Sequence, residues 1–129
     1  MASVSLMRLF TAAAEASTGQ RFGDYEALHR WSVTDAEAFW KFLWEFEGVL
    51  SDTPYDAVLE NRSMPGARWF PGSTLNYARQ VFRHVDAADA AGHPAIVAED
   101  ETGAITDVGW PELRARVASF AAELRSLGV

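Results

Sequence analysis

Cysteine is absent from the 129 residues. That excludes disulfides, thiolate metal sites and a cysteine nucleophile, and it fits a reducing compartment. Basic residues are few beside acidic ones: 11 Lys and Arg against 18 Asp and Glu give a formal net charge of −7. A general nucleic-acid binder needs a dense basic surface to release counterions from phosphates, and docking on an anionic membrane needs charge of the same sign. Neither partner is expected, and the acidity reads as a device for solubility. No apolar run approaches the roughly 20 residues of a membrane span. Met1 to Ala16 is apolar in places, but Arg8 breaks it and no basic stretch precedes it. A signal peptide is therefore not expected, and the default location is cytoplasmic.

Sequence signatures of catalysis are missing too. There is no GxxxxGK[ST], no GxGxxG and no GxSxG in the chain, so neither a phosphate-cradling loop nor a nucleophile elbow can be assigned. Gly66 and Gly72 are too sparse for a phosphate cradle, and Ser63 and Ser73 have no base nearby in sequence. His29, His84 and His93 lack a histidine four residues on or an HExxH-like setting, so metal-ligand spacing is absent. Asp86 and Asp89 form a loose acidic group. Glu99-Asp100-Glu101 falls in a predicted turn, where solvated carboxylates are the economical reading. No catalytic, cofactor-binding or metal residue is assigned.

What the chain does have is apolar mass. Hydrophobic residues make up 49% and five residues are tryptophan, which is enough to offset ordering entropy in a sizeable core. The length suits one compact domain or a piece of a larger one. Leu6, Leu9, Phe10 and Ala13 recur at helical spacing, with Ser17-Thr18-Gly19 as a stop. Asp24 is a candidate N-cap for a short helix to Arg30. Thr34 with Glu37 reads as a capping box for a helix from Asp35 to Glu47. That helix carries Phe39, Trp40, Phe42, Leu43, Trp44 and Phe46, with Glu37, Lys41 and Glu45 as a narrow polar stripe. A helix so apolar is expected to be covered on most sides. Gly48 is its expected stop.

Residues 49 to 72 are punctuated by Pro54, Pro65, Gly66, Pro71 and Gly72 and read as an irregular strap, anchored by the burial of Trp69 and Phe70. A helix capped by Ser73 or Thr74 follows, with Leu75, Ala78, Phe82 and Val85 on its apolar face. A polar and alanine linker runs from Asp86 to Gly92. Ala95 to Ala98 reads as a buried strand, and Thr106, Val108 and Trp110 as a second strand of a hairpin. Pro111 opens a last helix with Leu113, Val117, Phe120, Ala121, Leu124 and Leu127 on one face, a Glu112–Arg116 pair and Gly128 at its end. The aromatics at helical spacing read as core rather than as a stacking surface for bases or sugars.

Three stretches together resemble the N-terminal region of acetoacetyl-CoA synthetases. The first is Tyr25-Glu26-Ala27-Leu28-His29-Arg30-Trp31-Ser32-Val33 with Phe39-Trp40 and Trp44-Glu45-Phe46. The second runs from Met64 through Arg68-Trp69-Phe70-Pro71-Gly72 into Leu75-Asn76-Tyr77-Ala78. The third joins Pro94–Glu99, Trp110-Pro111-Glu112-Leu113 and Leu127-Gly128-Val129. The resemblance implies an α+β architecture: a helical N-terminal cap with its strap over residues 1–92, then the first strands and helix of an AMP-binding domain over 93–129. It makes Trp31, Phe39, Trp40, Trp44, Trp69, Phe70, Asn76 and Tyr77 structural anchors.

The activity implied is that of an adenylate-forming ligase. ATP and acetoacetate form an acyl-adenylate and pyrophosphate, and CoA then displaces AMP. Such enzymes are several times longer and use ATP, magnesium and CoA through motifs downstream of the helix that ends at Gly128. The chain is accordingly expected to be a fragment, inactive alone and without cofactors of its own. The helix from Asp35 to Glu47 and the strap from Val49 to Gly72 are both expected to pack on sequence absent from this chain. Its expected partner is the remainder of a synthetase, or a second copy meeting it through exposed apolar surface larger than a soluble monomer shows. The other class of reading is a stand-alone interaction module that uses its aromatic helix.

Overall fold

The computed structural model describes residues 5–129. The chain divides into two compact units, Met1–Leu75 and Asn76–Val129. The division comes before the 92/93 boundary expected from sequence. Residues 86–90 of the expected 86–92 linker are helical instead: Val85–Ala90 form a helix that packs against the last helix and buries Val85.

The first unit begins with three helices: α1 (Leu6–Thr18), α2 (Tyr25–Thr34) and α3 (Ala36–Phe46). Local chemistry sets their ends. The Ser5 side chain accepts from the Arg8 amide, and α1 stops at Gly19 in the left-handed region, φ 71°. Only glycine enters that region without steric cost. Asp24 caps α2 by accepting from the Ala27 amide at 2.8 Å. The capping box expected from Thr34 and Glu37 is not formed. Thr34 ends α2, with its hydroxyl donating to the Arg30 carbonyl at 2.7 Å. Asp35 caps α3 by accepting from the Ala38 amide. A carboxylate one residue later serves the same orphan amides and favours the positive end of the helix.

The core of this unit is Ala14, Phe22, Leu28, Trp31 and Phe42. Phe39, Phe42 and Phe46 recur at i, i+3 and i+7 along α3, and all three meet Phe10 of α1 edge-on, at centroid distances of 6.1, 5.2 and 5.2 Å. Trp31 of α2 closes the cluster, 5.1 Å from Phe22 and 5.4 Å from Phe39. Glu15 secures the turn between α1 and α2, its carboxylate accepting from the Phe22 amide at 2.7 Å and pairing with Arg21.

Residues 49–72 are not irregular as expected, and residues 74–75, expected at the start of a helix, join them as a strand. Together they fold into a nested double hairpin of β1 (Ser51–Thr53) with β4 (Thr74–Leu75) and β2 (Leu59–Asn61) with β3 (Arg68–Trp69), both antiparallel and both with a register shift. Hydroxyls replace part of the missing ladder: Thr53 Oγ1 donates to the Gly72 carbonyl at 2.7 Å and Ser51 Oγ to the Thr74 carbonyl at 3.1 Å. Strands of two or three residues carry too weak a periodicity to read from sequence.

In the second unit, the single helix expected to follow Ser73 or Thr74 is two short ones, α4 (Tyr77–Phe82) and α5 (Val85–Ala90). Asn76 caps the first by accepting from the Arg79 amide at 3.0 Å. His84, φ −109° and ψ 8°, breaks the helix between them. The hairpin is present as β5 (Ile96–Glu99) and β6 (Ile105–Val108), in register from Ile96↔Val108 to Glu99↔Ile105. Its first strand is exposed along its length rather than buried. Trp110 begins α6 (Trp110–Ser126) instead of extending β6, and Pro111 lies in the first turn. Leu113, Val117, Ala121 and Leu124 make the half-buried face of α6, whereas Phe120 and Leu127 face outward. The Glu112–Arg116 pair forms as expected.

The hairpin turn is organised by Asp100. Its carboxylate accepts from the Thr102 hydroxyl, the Thr102 amide and the Ala104 amide. Those bonds, the Thr102 hydroxyl first, hold the Asp100 carboxyl below its ordinary range. A lowered folded value means that the charged form supports the turn above the unfolded value of about 3.9 and that this support is lost as pH falls through the lower folded value. The side chain is fully exposed, so the effect is local.

Two outcomes follow. Phe42→Ala removes a core ring and is expected to cost about 3–5 kcal/mol in urea denaturation; Trp40→Ala, on the other face of α3 and 40% exposed, should cost roughly half of that or less. An NMR titration should show the Thr102 and Ala104 amides shifting together below about pH 4, with no such transition in Asp100→Asn.

Candidate functional site

The aromatic residues of α3 serve two neighbours at once. Phe39, Phe42 and Phe46 face α1 and α2, as above. Trp40 and Trp44, one turn apart on the opposite side, face the double hairpin. Trp69 lies 5.5 Å from Trp40, and Phe70 lies 4.4 Å from Trp44. Tyr55 completes the second group, 5.4 Å from Trp44 and 5.2 Å edge-on from Phe70. One turn toward the N-terminus, Glu37 on the same side pairs with Arg62 at 2.7 Å. The strap therefore lies on α3 of this chain. The expectation that helix and strap each needed absent sequence to lie on is corrected: each covers the other.

The eight anchor residues divide accordingly. Trp31 is in the core, 5% exposed. Phe39 packs against that core. Trp40, Trp44, Trp69 and Phe70 form the strap interface, in which Trp69 remains 40% exposed rather than buried. Asn76 is a helix cap. Tyr77 is 83% exposed and anchors nothing within its unit. Tyr55, Glu37 and Arg62 are contacts that sequence reasoning missed. Tyr55 had a signal in its Pro54-Tyr55-Asp56 setting, an aromatic beside a turn residue. The ion pair had none, since its members are 25 residues apart.

An apolar groove of about 450 Å³ opens among the three helices, with Leu6, Phe10, Leu28 and Phe46 on its walls and Tyr25 and His29 beside them. Tyr25 and His29 stack at 6.0 Å. His84 heads α5, and the His93 backbone amide donates to the Ala88 carbonyl. Among the described residues no three His, Asp or Glu side chains gather as metal ligands. Asp100 is engaged by its own turn. Trp31 Nε1 and Trp110 Nε1 are buried without a partner. Among the described residues no nucleophile, base and orienting group are seen to converge on one point, and no helix is long and apolar enough to cross a membrane.

Comparison with known proteins supplies the context. Residues 25–81 match the family described as acetyl-coenzyme A synthetase N-terminus. The acetoacetyl-CoA synthetase of Macaca fascicularis is 37% identical over 125 residues, which is 95% of this chain and 18% of that protein. The Rattus norvegicus enzyme is 35% identical over the same share. Among solved structures, acetoacetyl-CoA synthetase from Streptomyces lividans is 49% identical and superposes with a TM-score of 0.77, covering 94% of this chain and 19% of that one. The chain thus spans under a fifth of the relatives it matches. In sequence and in its α+β fold, the chain is similar to the N-terminal region of acetoacetyl-CoA synthetases.

Proposed function

We propose that the chain serves as the N-terminal region of an acetoacetyl-CoA synthetase-like ligase, which converts ATP, acetoacetate and CoA to acetoacetyl-CoA, AMP and pyrophosphate. Within it, this segment is scaffold and supplies no reacting group. The observation that carries the reading is the likeness to the Streptomyces lividans enzyme along 94% of the chain at 49% identity.

In this reading the segment holds none of the cofactors of such an enzyme. No acidic cluster gathers to hold magnesium among the described residues. Glycines with positive φ stand singly in separate turns, whereas a phosphate cradle needs consecutive amides turned to one point. Arg21, Arg62, Arg68 and Arg116 are engaged in ion pairs with Glu15, Glu37, Glu60 and Glu112. In this reading ATP, magnesium and CoA are held by other parts of the ligase, and residues 5–129 are inactive alone.

The partner in the same reading is the remainder of the synthetase. The second unit supports it: Val97 is 62%, Ile105 66%, Phe120 66% and Leu127 69% exposed. A two-stranded hairpin is marginal alone, and a helix gains most of its stability by burying a face. Self-association over this surface is the competing use, and it is what a stand-alone module would show. The proposed setting is cytoplasmic, without nucleic-acid or membrane partners, in keeping with the net charge of −7.

Isothermal titration of the purified chain tests the central point. Neither ATP with magnesium nor CoA should give a binding signal. Micromolar binding of either would place a nucleotide site in this segment and overturn the scaffold reading.

A further inference from the structure

We propose that residues 51–75 form a latch that comes off α3 and loosens its own internal pairs as one cooperative unit while the α1–α3 core stays folded. Four attachments lie on one side of α3: Arg62 on Glu37 at 2.7 Å, Trp69 on Trp40 at 5.5 Å, and Phe70 and Tyr55 on Trp44 at 4.4 and 5.4 Å. The opposite side of the same helix carries the core, with Phe42 7% exposed. Releasing the strap therefore leaves every core contact in place.

Three features make the strap the weaker attachment. No residue from 49 to 75 is buried, whereas α1–α3 hold the buried cluster of Ala14, Phe22, Leu28, Trp31 and Phe42, so opening the strap brings less apolar surface into water than unfolding the core. Both strand pairs are two or three residues long and shift register, so few ladder bonds resist it. The ion pair is exposed on both sides, at 65% and 48%, and such pairs hold weakly.

A fourth feature gives the closed state a built-in release. Phe70 has φ 46°, in the left-handed region that a side chain with a Cβ avoids. It is held there by its amide bond to the Val58 carbonyl at 2.9 Å, by Ser73 donating to its own carbonyl, and by its seat against Trp44 and Tyr55. Beside it, Gly72 at φ 86° leaves the space that the Asp56 carboxylate occupies; an added Cβ would lie 2.5 Å from that oxygen. The Asp56 amide in turn donates to the Pro71 carbonyl at 2.8 Å. The clasp is tight where it meets Trp44, and its strain is relieved when Phe70 leaves that seat. Opening bares the Trp40–Trp44 stripe of α3.

Amide hydrogen exchange of the 129-residue chain in a series of sub-denaturing urea concentrations tests this. The Asp56 and Phe70 amides should exchange at least tenfold faster than the Phe42 amide, with a shallower dependence on urea. Trp44→Leu should speed the strap amides a further tenfold and leave the Phe42 amide unchanged. Glu37→Gln, which leaves all aromatics in place, should speed them about twofold. Strap and core amides that share one exchange rate and one urea slope in the unaltered chain would overturn the latch. So would either variant accelerating both sets equally.

Discussion

The constraint on which the first unit depends is the two-sided burial of α3. Eleven residues carry three phenylalanines and two tryptophans, and a short helix can hide that much aromatic surface only by having neighbours on opposite sides. The phenylalanines are spaced for one side and the tryptophans for the other. Each set would be an exposed stripe without its partner, so one helix is covered by the α1–α2 pair on one side and by the strap on the other. The arrangement also explains how segments as poor in hydrogen bonds as β1–β4 come to be ordered. They are shaped by what they lie on more than by their own pairing.

The remaining structure follows from cheaper devices. Carboxylates and amides at Asp24, Asp35 and Asn76 satisfy orphan helix donors. Glu15 and Asp100 tie down the tight turns beside them. These are local bonds, and they set where elements begin and end. The carboxylates of Glu15, Asp24, Asp35, Glu37, Asp100 and Glu112 each have an architectural partner.

Much of this was legible in the sequence wherever the determinant was local. The Asp24 cap, the glycine stops, the hairpin at Ile96–Val108 and the helix opened by Pro111 each depend on residues within one turn of each other. The resemblance to acetoacetyl-CoA synthetases was legible from the aromatic and Pro-Gly stretches. What escaped has a common cause. The strap was read as lacking a bed because its contacts with Trp40 and Trp44 span about 25 residues and leave no periodic trace. The break at His84 was hidden by a continuous apolar pattern, Ala78, Phe82 and Val85, that suits one helix or two. Thr34 was preferred to Asp35 because a capping box specifies a spacing, and two candidate caps stood side by side. The exposed strand Ile96–Glu99 was read as buried because an apolar run reports the tendency to be covered, not whether a cover is present.

The account rests on Trp44 and Phe70 acting as partners across the outer side of α3. A double-mutant cycle of Trp44→Ala and Phe70→Ala, followed by urea denaturation, measures that directly. The two-sided account predicts a coupling of about 0.5–1.5 kcal/mol, the range for an aromatic pair in contact. Strictly additive effects would mean that the strap and the tryptophan side of α3 do not depend on each other, and would contradict it.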